Sequence, residues 1–123
     1  MIGFATLGTN DLEKAANFYD QLLSPLGAKR ALELERLITW SAGEGTPMVG
    51  VITPFDKESA SCGNGNMIAL AAKDRAHVDA MHAKALELGA TDEGAPGERM
   101  PGFYAAYFRD LDGHKLNFFY MGA

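Results

Sequence analysis

At 123 residues the chain suits a single domain, able to bury roughly two thirds of its unfolded surface without covalent staples. Its 47% hydrophobic and 22% charged residues, with 14 glycines and 5 prolines, exclude a disordered, collagenous or coiled-coil chain, and one cysteine excludes an internal disulfide framework or a thiolate zinc site. A net charge of -5, with no Lys/Arg stripe set against it, argues against nucleic acid as a partner.

Residues 1–8 read as a strand with Ile2, Phe4 and Thr6 on one side and Ala5 and Leu7 on the other, ending at Gly8. No basic leader region precedes it, so a cytoplasmic location is the expectation. A helix over 11–24 follows, with Asn10 as N-cap and Glu13 at capping-box spacing, and with Leu12, Ala15, Ala16, Tyr19, Leu22, Leu23 and Leu26 stepping by threes and fours toward a core. Pro25 and Gly27 stop it. Strands are expected at 28–34, 36–42 and 47–53, the last two joined across Gly43-Glu44-Gly45. Residues 55–66 are polar and contain glycine, which reads as a linker between a first half of about 1–54 and a second of about 67–123.

The second half repeats the order of the first. A strand at 67–72 leads to Asp74 as N-cap and a helix over 74–88 with Val78, Met81, Ala85 and Leu88 on one face, closed by Gly89. Leu88-Gly89-Ala90 echoes Leu26-Gly27-Ala28 half a chain earlier. A looser segment at 91–101 precedes strands at 103–109 and 115–121 around the turn Asp110-Leu111-Asp112-Gly113. The longest apolar stretches, such as Met67 to Ala72, fall far short of the ~20 residues of a membrane span. Two βαβββ halves of α+β class follow, expected to form a curved mixed sheet around a shared cleft.

The opening Asn10-Asp11-Leu12 with Phe18-Tyr19, the Gly63-Asn64-Gly65 approach to the mid-chain strand, and the ending Tyr107-Phe108-Arg109-Asp110-Leu111-Asp112-Gly113-His114-Lys115-Leu116 together resemble the vicinal oxygen chelate superfamily. Glyoxalase I, bleomycin- and fosfomycin-resistance proteins and extradiol dioxygenases belong to it. The likeness covers essentially the whole chain, although Leu111 stands where the closing motif usually has proline. It implies that metal ligands, in members that have them, come from the first and last strands of each half. Carried onto this chain, the first-strand histidine falls at Phe4, the mid-chain histidine at Met67 or Asn66, and the closing glutamate at Asn117. The segment Pro47 to Thr53 contains no Asp, Glu, His or Cys. A catalytic zinc wants about three imidazole, thiolate or carboxylate ligands, so no metal and no other cofactor is expected. The carboxylate that glyoxalase-like proton transfer would use is missing too.

With Phe108 and Leu116 assigned to the core, alternation turns Phe103, Tyr107, Asn117 and Phe119 toward the cleft. The expected ligand contacts are Phe4, Trp40, Met67, Tyr107, Asn117 and Phe119, a surface suited to a flat, largely apolar or aromatic small molecule with one hydrogen-bonding edge and without an anchor for a strong anion. Tyr104 and Tyr107 can each offer a phenol hydrogen bond. His77 and His82 lie about 140° apart around one helix, too far for a shared metal, and read as surface residues. His114 reads as a turn residue and Cys62 as an idle thiol in the linker. The leading functional reading is a small-molecule-binding protein of this superfamily. The alternatives are a metal-dependent lyase or dioxygenase with relocated ligands, and a regulatory or structural module whose cleft is filled. A homodimer is expected, because members of this length commonly pair and because bare strand edges are hazardous.

Overall fold

The structure, a computed structural model, describes residues 1–122. The chain divides into two compact units between Cys62 and Gly63. The first contains β1 (Phe4–Gly8), α1 (Leu12–Leu23), a 3-10 turn over Ser24–Leu26, β2 (Lys29–Glu33), β3 (Leu37–Ser41) and β4 (Met48–Ile52). Its sheet runs β1-β4-β3-β2, with β1 parallel to β4 and the remaining pairs antiparallel. The apolar stripe of α1 buries Ala15, Ala16, Phe18, Tyr19, Leu22 and Leu23, and the sheet brings Leu7, Ile38, Trp40 and Val51 into the same core. Each large side chain so buried contributes about 1.5–3 kcal/mol by removal from water. The N-cap is Asp11 rather than Asn10: the Asp11 carboxylate accepts from the Lys14 N–H at 3.1 Å. The Asn10 side-chain oxygen instead accepts from the Ala60 N–H at 2.7 Å, a bond that fixes the segment after β4.

The second unit contains β5 (Ile68–Ala71), α2 (Arg75–Glu87), β6 (Thr91–Met100), β7 (Phe103–Arg109) and β8 (Lys115–Met121), in the sheet order β5-β8-β7-β6. β5 is parallel to β8, so this sheet is mixed as well. Asp74 caps α2 as the sequence suggests, accepting from the His77 N–H at 2.7 Å. Val78, Met81 and Ala85 join Ala106, Phe108, Leu116 and Phe118 in a core where the Phe108 and Phe118 rings stack with centroids 5.3 Å apart. The segment expected to be loose is a ten-residue edge strand, β6. Gly94, Pro96 and Gly97 weaken its sequence signal, and its three register shifts against β7 are the bulges that let such residues sit on an edge.

The echoed Leu-Gly-Ala triplets do the same work in both units. Gly27 (φ 81°) and Gly89 (φ 106°) take the left-handed conformation that L side chains avoid, and the following alanines donate back to Leu23 and Ala85. No helix among the described residues is long and apolar enough to cross a membrane.

Candidate functional site

The closing turn sets the register of the second unit. The Asp110 carboxylate accepts from the N–H groups of Asp112 and His114, both at 2.9 Å, and Gly113 adopts φ 88°. His114 is buried in this turn, and Leu111 occupies the usual proline position without disturbing it. The turn pairs Arg109 with Lys115, and therefore Tyr107 with Asn117. Since Phe108, Leu116 and Phe118 point into the helix-covered core, alternation places Phe103, Ala105 and Tyr107 of β7 beside Lys115, Asn117 and Phe119 of β8 on the face turned away from α2. Ala69 of β5 pairs with Asn117 on that face, and Met67 lies just before β5. The Phe103 and Phe119 rings stack there at 5.9 Å.

Asn117 is the unusual member of this face. It is 1% exposed, its amide N–H makes only a long contact of 3.8 Å with the Met67 sulfur, and its carbonyl oxygen has no hydrogen-bond partner among the described residues. A buried acceptor left in that state costs about 1–3 kcal/mol. Beside it, the Tyr107 hydroxyl meets no donor or acceptor among the described residues, while its ring carries the guanidinium of Arg99 and the ammonium of Lys115, each 5.3 Å from the centroid. Met67, Tyr107, Asn117 and Phe119 are thus brought onto one face, as the sequence reading requires.

Phe4 lies in the first unit, half exposed, paired with Met48 and opposite in parity to the buried Leu7. Trp40 must be corrected. It faces α1, is 2% exposed, packs 5.7 Å from the Tyr19 ring and donates its indole N–H to Asp20 at 2.9 Å. It is a core residue on the α1-covered side of its sheet, whereas the sequence reading placed it in the cleft. Arg30 grips the same Asp20 carboxylate through two hydrogen bonds of 2.9 and 2.8 Å, and these bonds hold the Asp20 carboxyl below its ordinary range against the opposing effect of burial.

Two further readings change. The Tyr104 hydroxyl donates to Asp79 on α2 at 2.6 Å with Arg75 over its ring, so it is engaged on the helix side, and the bond to Asp79 raises the phenol above its ordinary range. His82 is not a surface residue. It is buried, with Nε2 shared between the Asp92 carboxylate (3.1 Å) and the Tyr107 carbonyl (3.2 Å). The ring nitrogen Nδ1 of His77 accepts from the Lys73 N–H at 3.2 Å. Cys62 is exposed. Among the described residues, no three His, Cys, Asp or Glu side chains gather as metal ligands.

Sequence reasoning missed a groove of about 550 Å³ in the first unit, where Thr9, Arg36, Thr53, Phe55 and Lys57 line a segment that reads as plain linker. It also missed Arg99 and Lys115. Lys115 shares the parity of Asn117 on β8, a signal present in the sequence, whereas Arg99 lies on a strand whose glycines and proline hide its register.

The family model of the Glyoxalase/Bleomycin resistance protein/Dioxygenase superfamily matches residues 1–118. A glyoxalase/bleomycin resistance protein from Albidiferax ferrireducens T118 is 32% identical, with a TM-score of 0.90 and 99% of each chain covered. A hypothetical protein, SA1046 from S. aureus, is 30% identical with a TM-score of 0.76, covering 98% of this chain and 92% of that one. Lactoylglutathione lyase from Agrobacterium tumefaciens shares the fold at 21% identity and a TM-score of 0.71, with 97% and 92% covered. Among curated proteins none matches.

Proposed function

Since the chain belongs to the glyoxalase/bleomycin resistance protein/dioxygenase superfamily, we propose that it binds a small molecule on the face of its second unit that carries Tyr107 and Asn117, and that it does so without the divalent metal used by the family's metal enzymes. The observation that carries this reading is the Asn117 carbonyl oxygen, buried on that face without a partner. A hydrogen-bond donor on a ligand satisfies it, and the stacked Phe103 and Phe119 rings with the Tyr107 ring provide apolar area around it.

The residues at the carried-over ligand positions do not fit a catalytic metal. Phe4 has no donor atom, Met67 offers a thioether already in contact with the Asn117 amide, and Asn117 offers a neutral carbonyl where a carboxylate would stand. Metal-assisted isomerisation also lacks its proton acceptor there. A homodimer is part of the same reading. The edge strands, β1 and β2 of the first sheet and β5 and β6 of the second, each leave a row of backbone groups unpaired within the sheet, and a second chain can cover such a row.

The test is a thermal-shift screen of a panel of small aromatic and aliphatic compounds, run on the parent and on Asn117→Leu. Compounds that raise the parent's melting temperature and not the variant's support the reading. A panel with no effect on either favours the filled-cleft module. Elemental analysis showing near one tightly held zinc, nickel, iron or manganese per chain, purified without chelator, overturns the metal-free assignment and restores the lyase or dioxygenase alternative.

A further inference from the structure

Charge on this face runs against the charge of the protein. The chain is acidic overall, yet Arg99 and Lys115 reach the ring of Tyr107 from the two strands that flank β7, and neither pairs with a carboxylate among the described residues. The neighbouring Arg109 is already neutralised by Glu93 at 2.6 Å. Two unpaired cations at one ring leave its surroundings positive, and the quadrupole of the ring offsets only part of that charge. An anion beside the ring removes the rest.

Arg99 is also seated. One guanidinium nitrogen donates to the Ala95 carbonyl at 2.6 Å, leaving the other donors available. The guanidinium lies against glycines: a Cβ at Gly94 would stand 3.2 Å from Arg99 Nη2 and 3.2 Å from the Tyr107 ring, and one at Gly97 would stand 2.8 Å from Arg99 Nη1. The bulges of β6 thus present a bare backbone on which the guanidinium rests next to Tyr107. The orphaned Asn117 acceptor is the cross-strand partner of that same tyrosine.

We propose that the ligand of this site is a small aromatic carboxylate bearing a hydrogen-bond donor, its carboxylate held by Arg99 and Lys115 beside Tyr107 and its donor on the Asn117 carbonyl oxygen. This rests on the small-molecule reading above and adds the chemical class. Guanidinium and ammonium supply charge-assisted bonds to a carboxylate, and the amide oxygen excludes a second carboxylate at the other end.

The probes are 4-hydroxybenzoate and its neutral analogue 4-hydroxybenzamide, titrated into ¹⁵N-labelled protein while the backbone amides of Gly94, Tyr107 and Asn117 are followed. The carboxylate is expected to give saturable shifts at these amides and to bind at least tenfold more tightly than the amide. Arg99→Gln combined with Lys115→Gln should weaken it at least tenfold, with the amide spectrum of the free protein showing that the fold is retained. Gly97→Ala, which displaces the guanidinium but keeps its charge, should weaken it severalfold. Equal binding of the two probes, full binding by the double variant, or no saturable shift at these amides overturns the proposal. If the neutral amide binds and loses its binding in Asn117→Leu, the carboxylate assignment falls while the small-molecule reading stands. If neither probe binds, the carboxylate assignment again falls, and the compound panel decides the broader reading.

Discussion

Asn117→Leu should stabilise the free protein. The two side chains have the same number of heavy atoms and both branch at Cγ, so leucine leaves no new cavity, while its bulkier methyl groups offset part of the gain through repacking. The substitution removes a buried carbonyl oxygen that has no partner, worth about 1–3 kcal/mol, and gives up one long contact to the Met67 sulfur. It also adds apolar contact on a residue that is 1% exposed, so nearly all the gain counts. A net gain of about 1–2 kcal/mol corresponds to a rise in melting temperature of roughly 4–8 °C for a chain of this size. Circular-dichroism melts of parent and variant at neutral pH, without added ligand, measure it. Asn117→Ala should fall below Asn117→Leu by at least 1 kcal/mol, because it relieves the same orphan but leaves a void. The outcome that refutes the reasoning is a variant leucine protein less stable than the parent. The carbonyl would then be bonded in the folded protein, and the strongest motive for a ligand on this face would be gone. A stabilised but non-binding variant is the pattern of a residue kept for function at a cost in stability.

Gly50→Ala should destabilise the first unit by about 1–3 kcal/mol, since the new Cβ would stand 2.9 Å from Thr39 Cγ2 and 3.1 Å from the Ile38 carbonyl oxygen; urea unfolding checks it. Asp20 has a folded-state value below its unfolded 3.8, so its contribution is present above that pH and lost as the pH falls through the depressed value. Asp20→Asn should therefore lower stability at pH 7, with the gap to the parent closing in strong acid, as followed by the emission of Trp40, the only tryptophan. Tyr104 should ionise above the ordinary tyrosine range in an alkaline absorbance titration, and Asp79→Asn should bring it earlier. Light scattering at micromolar concentration should give about twice the mass of one chain, and a value of one chain would reject the dimer.

What the sequence could and could not show follows from where each face finds its anchor. The Tyr107–Asn117 pairing was legible because a short polar turn fixes the register of β7 against β8, and two unmistakable core residues, Phe108 and Leu116, fix the parity. Trp40 had no such anchor. It sits in β3, an interior strand where Ile38, Thr39 and Trp40 are all buried, so no alternation exists to say which side is which. Asn10 and Asp11 are equally good caps by type, and the choice between them was made by Ala60, fifty residues away. His82 looked exposed because its helix neighbours are polar, but burial was decided by Asp92 and the Tyr107 carbonyl on β6 and β7. Arg99 was hidden for a related reason. Arg99 reaches the ring only through the bulged path of β6, whose glycines and proline made it read as loop, and an even register count along an unbroken strand would not have placed it there. The expectation of an apolar ligand without an anionic anchor came from that gap. Once β6 is a strand, the basic groups beside Tyr107 and the orphaned amide of Asn117 belong to one surface, and a ligand chemistry that satisfies only one of them leaves the other unexplained.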